Sequence, residues 1–241
     1  MRKNYVEIYS VISGSKAYGT ANENSDTDIR SIAFPDSVSM FGLNPFESKV
    51  SKDPDETIYS FKKFVSLALQ GNPNILELLW IEDPKNILIE TEYSRHLQSI
   101  RREFLTRRVY KSYLGYAKAQ LHKIKVDGNC SPEMNSKRKI SIDINGYDVK
   151  AAMHLYRLLV QLEHIEMNYR IPMPLTGNNL GVCLEIRNGH VPFEAFKRLI
   201  EIRLERLAAL ESKSNLPEKP AEEFIDSIVV EMNRKFYGAN S

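Results

Sequence analysis

A single change in hydrophobic period, near residue 100, limits what this chain can fold into. Before it, short apolar or β-branched runs end at Gly, Asn or Pro. Tyr5 to Ser13, Asp28 to Phe34 and Thr57 to Ser60 read as strands. After it, apolar residues recur every three or four positions over long stretches. Arg102 to Lys125, Gly146 to Asn168, Pro192 to Ser212 and Glu222 to Phe236 are predicted as amphipathic helices. Strands followed by helices make an α+β fold: a small mixed sheet in residues 1–100, then an all-helical domain in residues 101–241.

Between these elements lie shorter signals. Ser15 to Ser25 is turn or short-helix material, and Pro35 to Pro54 reads as loop. Ser60 to Gln70 has helical spacing and stops at Gly71-Asn72-Pro73, where packing explains the Asn-Pro pair best. Ile75 to Ile81 is an apolar run of helical type. Arg187-Asn188-Gly189 reads as a helix-ending turn, for which the sequence offers no further physical role. Asp127 to Lys139 is a polar loop, and Asn215 to Pro220 a linker to the last helix.

Composition excludes more than it selects. With 241 residues, 42% hydrophobic and 27% charged, the chain is long enough for a core and is of ordinary globular type. Its net charge of +2 creates no general field for nucleic acid, so any basic patch must be local. Cys130 and Cys183 lack metal-ligand spacing and read as reduced thiols. The start has no signal-peptide core, and no run reaches the ~18 apolar residues of a membrane span. A cytoplasmic location is the expectation.

The residues with chemical potential begin at Gly14-Ser15, directly after the first predicted strand. A glycine there lets backbone approach a ligand closely, and N–H groups with the Ser15 hydroxyl suit phosphate oxygens. Ser25-Asp26-Thr27-Asp28 leads into the next strand. In extended backbone Asp26 and Asp28 share a face, which makes a hard oxygen site suited to Mg²⁺, with Mn²⁺ as its substitute. Two such ions would clamp an in-line phosphoryl displacement. The plain alternative is a strand-ending glycine and two turn aspartates. Lys16 and Tyr18 stand beside the turn, within reach of nucleotide, or with Tyr18 packed beneath it. Arg30 follows the aspartates as partner to carboxylate or to phosphate.

Two helical constellations follow. Lys150, His154 and Arg157 are spaced four and then three, on one helix face that borders apolar residues. A half-buried basic stripe suits an anion; otherwise it is a solvated face, or His154 a core histidine. Arg107, Arg108, Lys111, Tyr113, Tyr116 and Lys118 interleave charge with tyrosine, as phosphate contacts and base-stacking rings do, or as a solvated helix does.

GSKAYGTANENSDTDIRSI resembles the signature of nucleotidyltransferases of the DNA polymerase β superfamily. It is more specifically similar to a bacterial and phage branch, some members of which are encoded with RNA-repair enzymes. YSFKKFVSLALQGNPNILELLW, RRVYKSYLGYAKAQL, DVKAAMHLYRLL and LEIRNGH resemble later segments of that branch, so the likeness runs to about residue 205. Ser31 departs from a glycine common after the arginine. The resemblance implies a catalytic domain over 1–100 and a helical domain over 101–241 that completes the cleft. It implies a third metal-binding carboxylate on a later strand. Asp55 is the choice, Glu56 the competitor by one register step and Asp53 the remoter candidate. It also sets Gly14, Ser15, Lys16, Tyr18, Ser25, Arg30, Lys150, His154 and Arg157 against the nucleotide, and Arg107, Arg108, Tyr113, Tyr116 and Lys118 against the acceptor.

The implied reaction is Mg²⁺-dependent transfer of a nucleotidyl group from an NTP to a hydroxyl, with release of pyrophosphate. An RNA 3′ end, tRNA above all, is the leading acceptor. A protein hydroxyl is the rival within the same chemistry. A catalytically weak nucleotide- or partner-binding module is the alternative outside it. Arg157 and His164, with six residues between them, also loosely match the arginine–histidine pattern of HEPN-type helical ribonucleases.

Overall fold

The computed structural model describes residues 4–23, 25–124 and 136–239. In chain order the elements are β1 (Tyr5–Ser13), α1 (Gly14–Tyr18), β2 (Asp28–Pro35), α2 (Ser37–Phe41), β3 (Ser48–Lys52) and β4 (Asp55–Ser60). Next come α3 (Phe61–Leu69), α4 (Pro73–Leu76), β5 (Ile87–Glu90), α5 (Glu92–Ser99), α6 (Arg107–Ile124) and α7 (Ser136–Asn145). The last four are α8 (Val149–Asn168), α9 (Gly177–Arg187), α10 (Phe193–Glu211) and α11 (Glu222–Ala239). The fold is α+β, as its sequence pattern predicts.

The strands form one five-stranded sheet in the order β3-β4-β2-β1-β5. β2 pairs parallel with β4, and the other neighbours are antiparallel, so the sheet is mixed. Tyr9, Val11, Ile32, Phe34 and Ile58 are buried in it, with Phe61, Phe64, Leu76 and Trp80 beyond them. Ser60 starts α3 by accepting from the Lys63 amide, and Asn72 starts α4 by accepting from Asn74 with Pro73 at the first helical position. Asn72-Pro73 therefore opens the next helix as well as following the last.

The chain divides into two compact units, residues 1–109 with 217–241, and residues 110–216. The sheet belongs to the first. So does α11, although its sequence groups with the helices before it. Phe236 of α11 stacks on Phe34 of β2, with ring centroids 4.3 Å apart, and the Tyr237 hydroxyl donates to the Pro35 carbonyl at 2.9 Å.

The second unit is built on α8. Its residues are buried almost all round, from Ala151 to Ile165, which is the mark of a central helix. Asp148 caps its start by accepting from the Ala151 amide at 3.0 Å. Inside, Glu163 is ion-paired with Arg203, whose guanidinium also donates to the Tyr156 hydroxyl and to Asn179.

Several elements lie where the sequence reads otherwise. Residues 35–54 hold α2 and β3 rather than loop alone. β3 is an exposed edge strand, Ser-Lys-Val-Ser-Lys, and carries no apolar alternation to announce it. The apolar run at 75–81 divides into α4 and a 3-10 turn, Glu77–Trp80. Of the loop expected at Asp127 to Lys139, residues 127–135 lie outside the described residues, and 136–139 are helical in α7. Cys130 lies outside them too, while Cys183 is a buried free thiol, its pKa pushed up to about 12 by burial.

Candidate active site

Strand β1 hands the chain to Gly14 at its end, and β2 brings Asp28 back beside it: Ser13 and Asp28 are register partners. The Ser13 hydroxyl donates to the Asp28 carbonyl at 3.1 Å and ties the two strand ends. Gly14 has φ +65°, and a Cβ there would stand 2.0 Å from Asp28 Oδ2. No side chain fits. The close approach that Gly14 permits is thus made by the Asp28 carboxylate, where the sequence reading has a ligand.

Asp26 precedes the first ladder pair and is exposed, so no strand partner sets its direction. Ser25 closes a turn with Asn22: its hydroxyl accepts from the Asn22 amide at 2.8 Å and donates to Asn22 Oδ1 at 2.9 Å. Lys16 is exposed, and its ammonium donates to Thr27 Oγ1. Ser15 is half-buried in α1, and its carbonyl accepts from the Thr20 amide at 2.9 Å.

The β2–β4 register separates the two rival carboxylates. Ile29 pairs with Glu56 and Arg30 with Thr57. Side chains alternate along a strand, so Asp55 stands on the face of Asp28 and Arg30, and Glu56 on the other. The hydrogen bonds agree. Arg30 Nη1 donates to Asp55 Oδ1 at 3.1 Å, and Arg30 Nη2 stands 3.9 Å from Asp28 Oδ1. Asp53 lies in the turn between β3 and β4. Asp28 and Asp55 therefore share one face and one cation, the Arg30 guanidinium. Among the described residues, no three or more His, Cys, Asp or Glu side chains form a ready metal cage.

Tyr18 points inward. It is 5% exposed and its hydroxyl meets Glu77, itself 2% exposed. Its interaction is internal, beneath the turn, where the sequence reading also has it against nucleotide.

The basic residues of α8 are unevenly exposed. Lys150 is exposed, His154 is partly buried, and Arg157 is 3% exposed with Nη1 donating to Gln161 Oε1 at 3.0 Å. Burial first, then the charges of Arg157, Lys150, Lys123 and Arg187, push the His154 imidazole down to about 3. Lys123 and Arg187 are members of this positive neighbourhood that helix periodicity does not reveal, because they stand on α6 and α9. Arg187 is itself lowered by burial. The turn after it has a packing reason: a Cβ on Gly189, φ +75°, would lie 2.0 Å from Asn145 Oδ1.

The proposed acceptor helix divides. Arg107 is ion-paired with Glu218 at 3.6 Å and Arg108 with Glu222 at 2.9 Å. Tyr113 is 1% exposed and lies in the core, so its ring offers no face to a base. Tyr116 is half-buried, and Lys111 and Lys118 are exposed. The arginine and histidine of the ribonuclease pattern stand seven positions apart on α8, within about 20° of one helix face, and each has a contact inside the helix. Arg157 is held by Gln161, and His164 Nδ1 lies 3.3 Å from the Asn168 amide nitrogen.

The site thus consists of a glycine turn against the Asp28 carboxylate and a second carboxylate, Asp55, on the same sheet face. The family model described as the RNA repair pathway DNA polymerase beta family matches residues 2–231. The chain belongs to that family. It is also similar to an uncharacterized 38.9 kDa protein from the nrdC–mobD intergenic region of Enterobacteria phage T4, 32% identical over 130 residues. That match takes in 48% of this chain and 38% of the length of the phage protein. No solved structure matches the chain. Among the described residues, no helix is long and apolar enough to cross a membrane.

Proposed function

We propose that the protein transfers a nucleotidyl group from an NTP to an acceptor hydroxyl, the 3′ end of an RNA such as tRNA. One observation carries the site: Asp28 is seated on Gly14 and shares its face with Asp55. The pair fits a divalent cation, Mg²⁺ or Mn²⁺, because two carboxylates converge on one positive group that they already hold, Arg30. When bound, such an ion supplies charge neutralisation at the phosphoryl oxygens.

Asp28 and Asp55, with exposed Asp26 two residues before Asp28 in the chain, would hold the ion, and Gly14, lacking a Cβ, leaves room for the Asp28 carboxylate. Asp55 accepts the proton of the acceptor hydroxyl. The hydroxyl oxygen bonds to the α-phosphorus, the bond to the bridging β-phosphate oxygen breaks, and pyrophosphate leaves. Ser15, Lys16 and Ser25 lie next to this position in the chain and suit the triphosphate. Around uncharged His154 and buried Arg157, the accessible cations Lys150, Lys123 and Arg187 suit phosphate oxygens on the helical unit. On the acceptor side Lys118 and Tyr116 remain accessible.

Support for the RNA acceptor is the RNA-repair description of the family. A second reading, nucleotide binding with weak catalysis, draws on the ion pair that engages Asp55. The test is a Mg²⁺-dependent assay that offers each α-labelled NTP to total tRNA and to total protein, with Asp26→Ala/Asp28→Ala as control. Label on RNA that the double variant abolishes is the expected result. Label on protein keeps the chemistry and changes the acceptor. NTP binding without transfer leaves only the binding-module reading.

A further inference from the structure

We infer that Arg30 is a positioning residue that keeps Asp28 and Asp55 in a cation-filled resting state and must give way before they take a divalent cation. The inference rests on the nucleotidyl-transfer reading of the same site.

Three features lead to it. Arg30, Asp28 and Asp55 project from the same face of neighbouring parallel strands, so no loop rearrangement is needed to bring them together. The guanidinium spans the pair, 3.1 Å from Asp55 Oδ1 and 3.9 Å from Asp28 Oδ1, while Nη1 also donates to the Ile29 carbonyl at 2.7 Å. All three side chains reach solvent, at 24%, 29% and 49% exposure for Arg30, Asp28 and Asp55, so the ion pairs exchange without unfolding.

The chemistry follows from charge. Two carboxylates on one face repel each other unless a cation lies between them. The guanidinium relieves that repulsion, using the same oxygens that a metal would use. A metal ion and the guanidinium cannot both occupy them, since they repel and compete for the same lone pairs. While Asp55 Oδ1 accepts from Arg30 it is also a poor acceptor for a substrate proton. Arg30 therefore opposes metal binding in the absence of nucleotide. Once displaced, its planar donors suit the oxygens of a polyphosphate, so binding of nucleotide with metal takes up the arginine that metal alone would leave unpaired.

The test measures Mn²⁺ binding directly, by the free-ion electron paramagnetic resonance signal, first without nucleotide and then with a non-hydrolysable ATP analogue. Arg30→Gln is expected to bind Mn²⁺ alone roughly fivefold more tightly than the unaltered protein at low salt, the size of one part-exposed ion pair. Arg30→Lys, whose single ammonium cannot span both carboxylates, is expected between the two. The same Arg30→Gln protein should bind the analogue more weakly in saturating Mn²⁺. Lys62→Gln removes an exposed charge on α3 without touching the pair, and its Mn²⁺ affinity should stay within about twofold of the unaltered protein. A counter-ion that is only structural predicts otherwise. Unchanged or weaker Mn²⁺ binding in Arg30→Gln, or in Arg30→Lys should the glutamine protein not fold, overturns the inference. Asp28→Asn separates this from failure of the site. If it binds Mn²⁺ as the unaltered protein does, or if none of the proteins binds Mn²⁺, the carboxylate-pair reading itself falls.

Discussion

Gly14 and His154 show how much a single position can be asked to do. At Gly14 a methyl group meets Asp28 Oδ2, and the positive φ adds backbone strain. Gly14→Ala should therefore push Asp28 off its seat, lowering transfer on the order of a hundredfold and stability by about 1–2 kcal/mol. Steady-state kinetics and urea unfolding read the two effects. At His154 the sign of the pH effect is set by burial and four cations. The folded imidazole takes its proton only near pH 3, whereas the ordinary value is 6.5. Between these the unfolded chain binds more protons, so stability falls as pH drops below about 6.5 and is untouched above it. His154→Gln should flatten that fall, by up to about 1.4 kcal/mol per pH unit. Equal slopes in urea unfolding of the two proteins, from about pH 5 to about pH 7, would show that His154 titrates normally. The glycine and the Asp-x-Asp pair are legible in the sequence because their signal is local. The inward turn of Tyr18 and the burial of Tyr113 are not, because a tyrosine beside a motif reads alike whether its ring is a lid or a floor.

Among the elements, α11 belongs to a different unit from the helices that precede it. Its Phe236 stacks on Phe34, with Tyr93 and Tyr237 edge-on. Lys235 also reaches Glu92 on α5. Phe236→Ala should cost about 2 kcal/mol, since a half-buried ring loses its burial and its aromatic partners together. Hydrogen exchange should rise at the β2 amides and stay level in α8. A rise in α8 of the same size would mean that α11 supports both units. β3 is the counter-example for sequence reading: five residues with one apolar side chain form a strand because β4 offers them a ladder. The long helices were the easiest elements to read, since their period repeats over several turns. Short pieces such as β5 and α5 carry too few repeats. The Thr91 and Ser94 capping box that starts α5 is polar and gives no hydrophobic signal.

For the whole molecule, removal of residues 217–241 is the informative truncation. It strips α11 from the sheet and takes Glu218 and Glu222 from Arg107 and Arg108. The shortened chain should lose cooperative unfolding of the sheet unit while residues 110–216 keep slow exchange; one common transition, shifted as a whole, would contradict this. The sequence by itself determined the α+β class, the change to helix near residue 100, and the glycine turn and aspartates that resemble the polymerase β superfamily. Each of these is written in local period or in residues close together. Only the tertiary structure decided that Asp55, not Glu56, faces Asp28. It also decided that Arg30 lies between the two carboxylates and that the last helix returns to the sheet. The reason is physical. Which face a strand residue takes depends on register against a distant strand, and where a helix docks depends on which apolar surface is left uncovered; neither is recorded in the residues next to it.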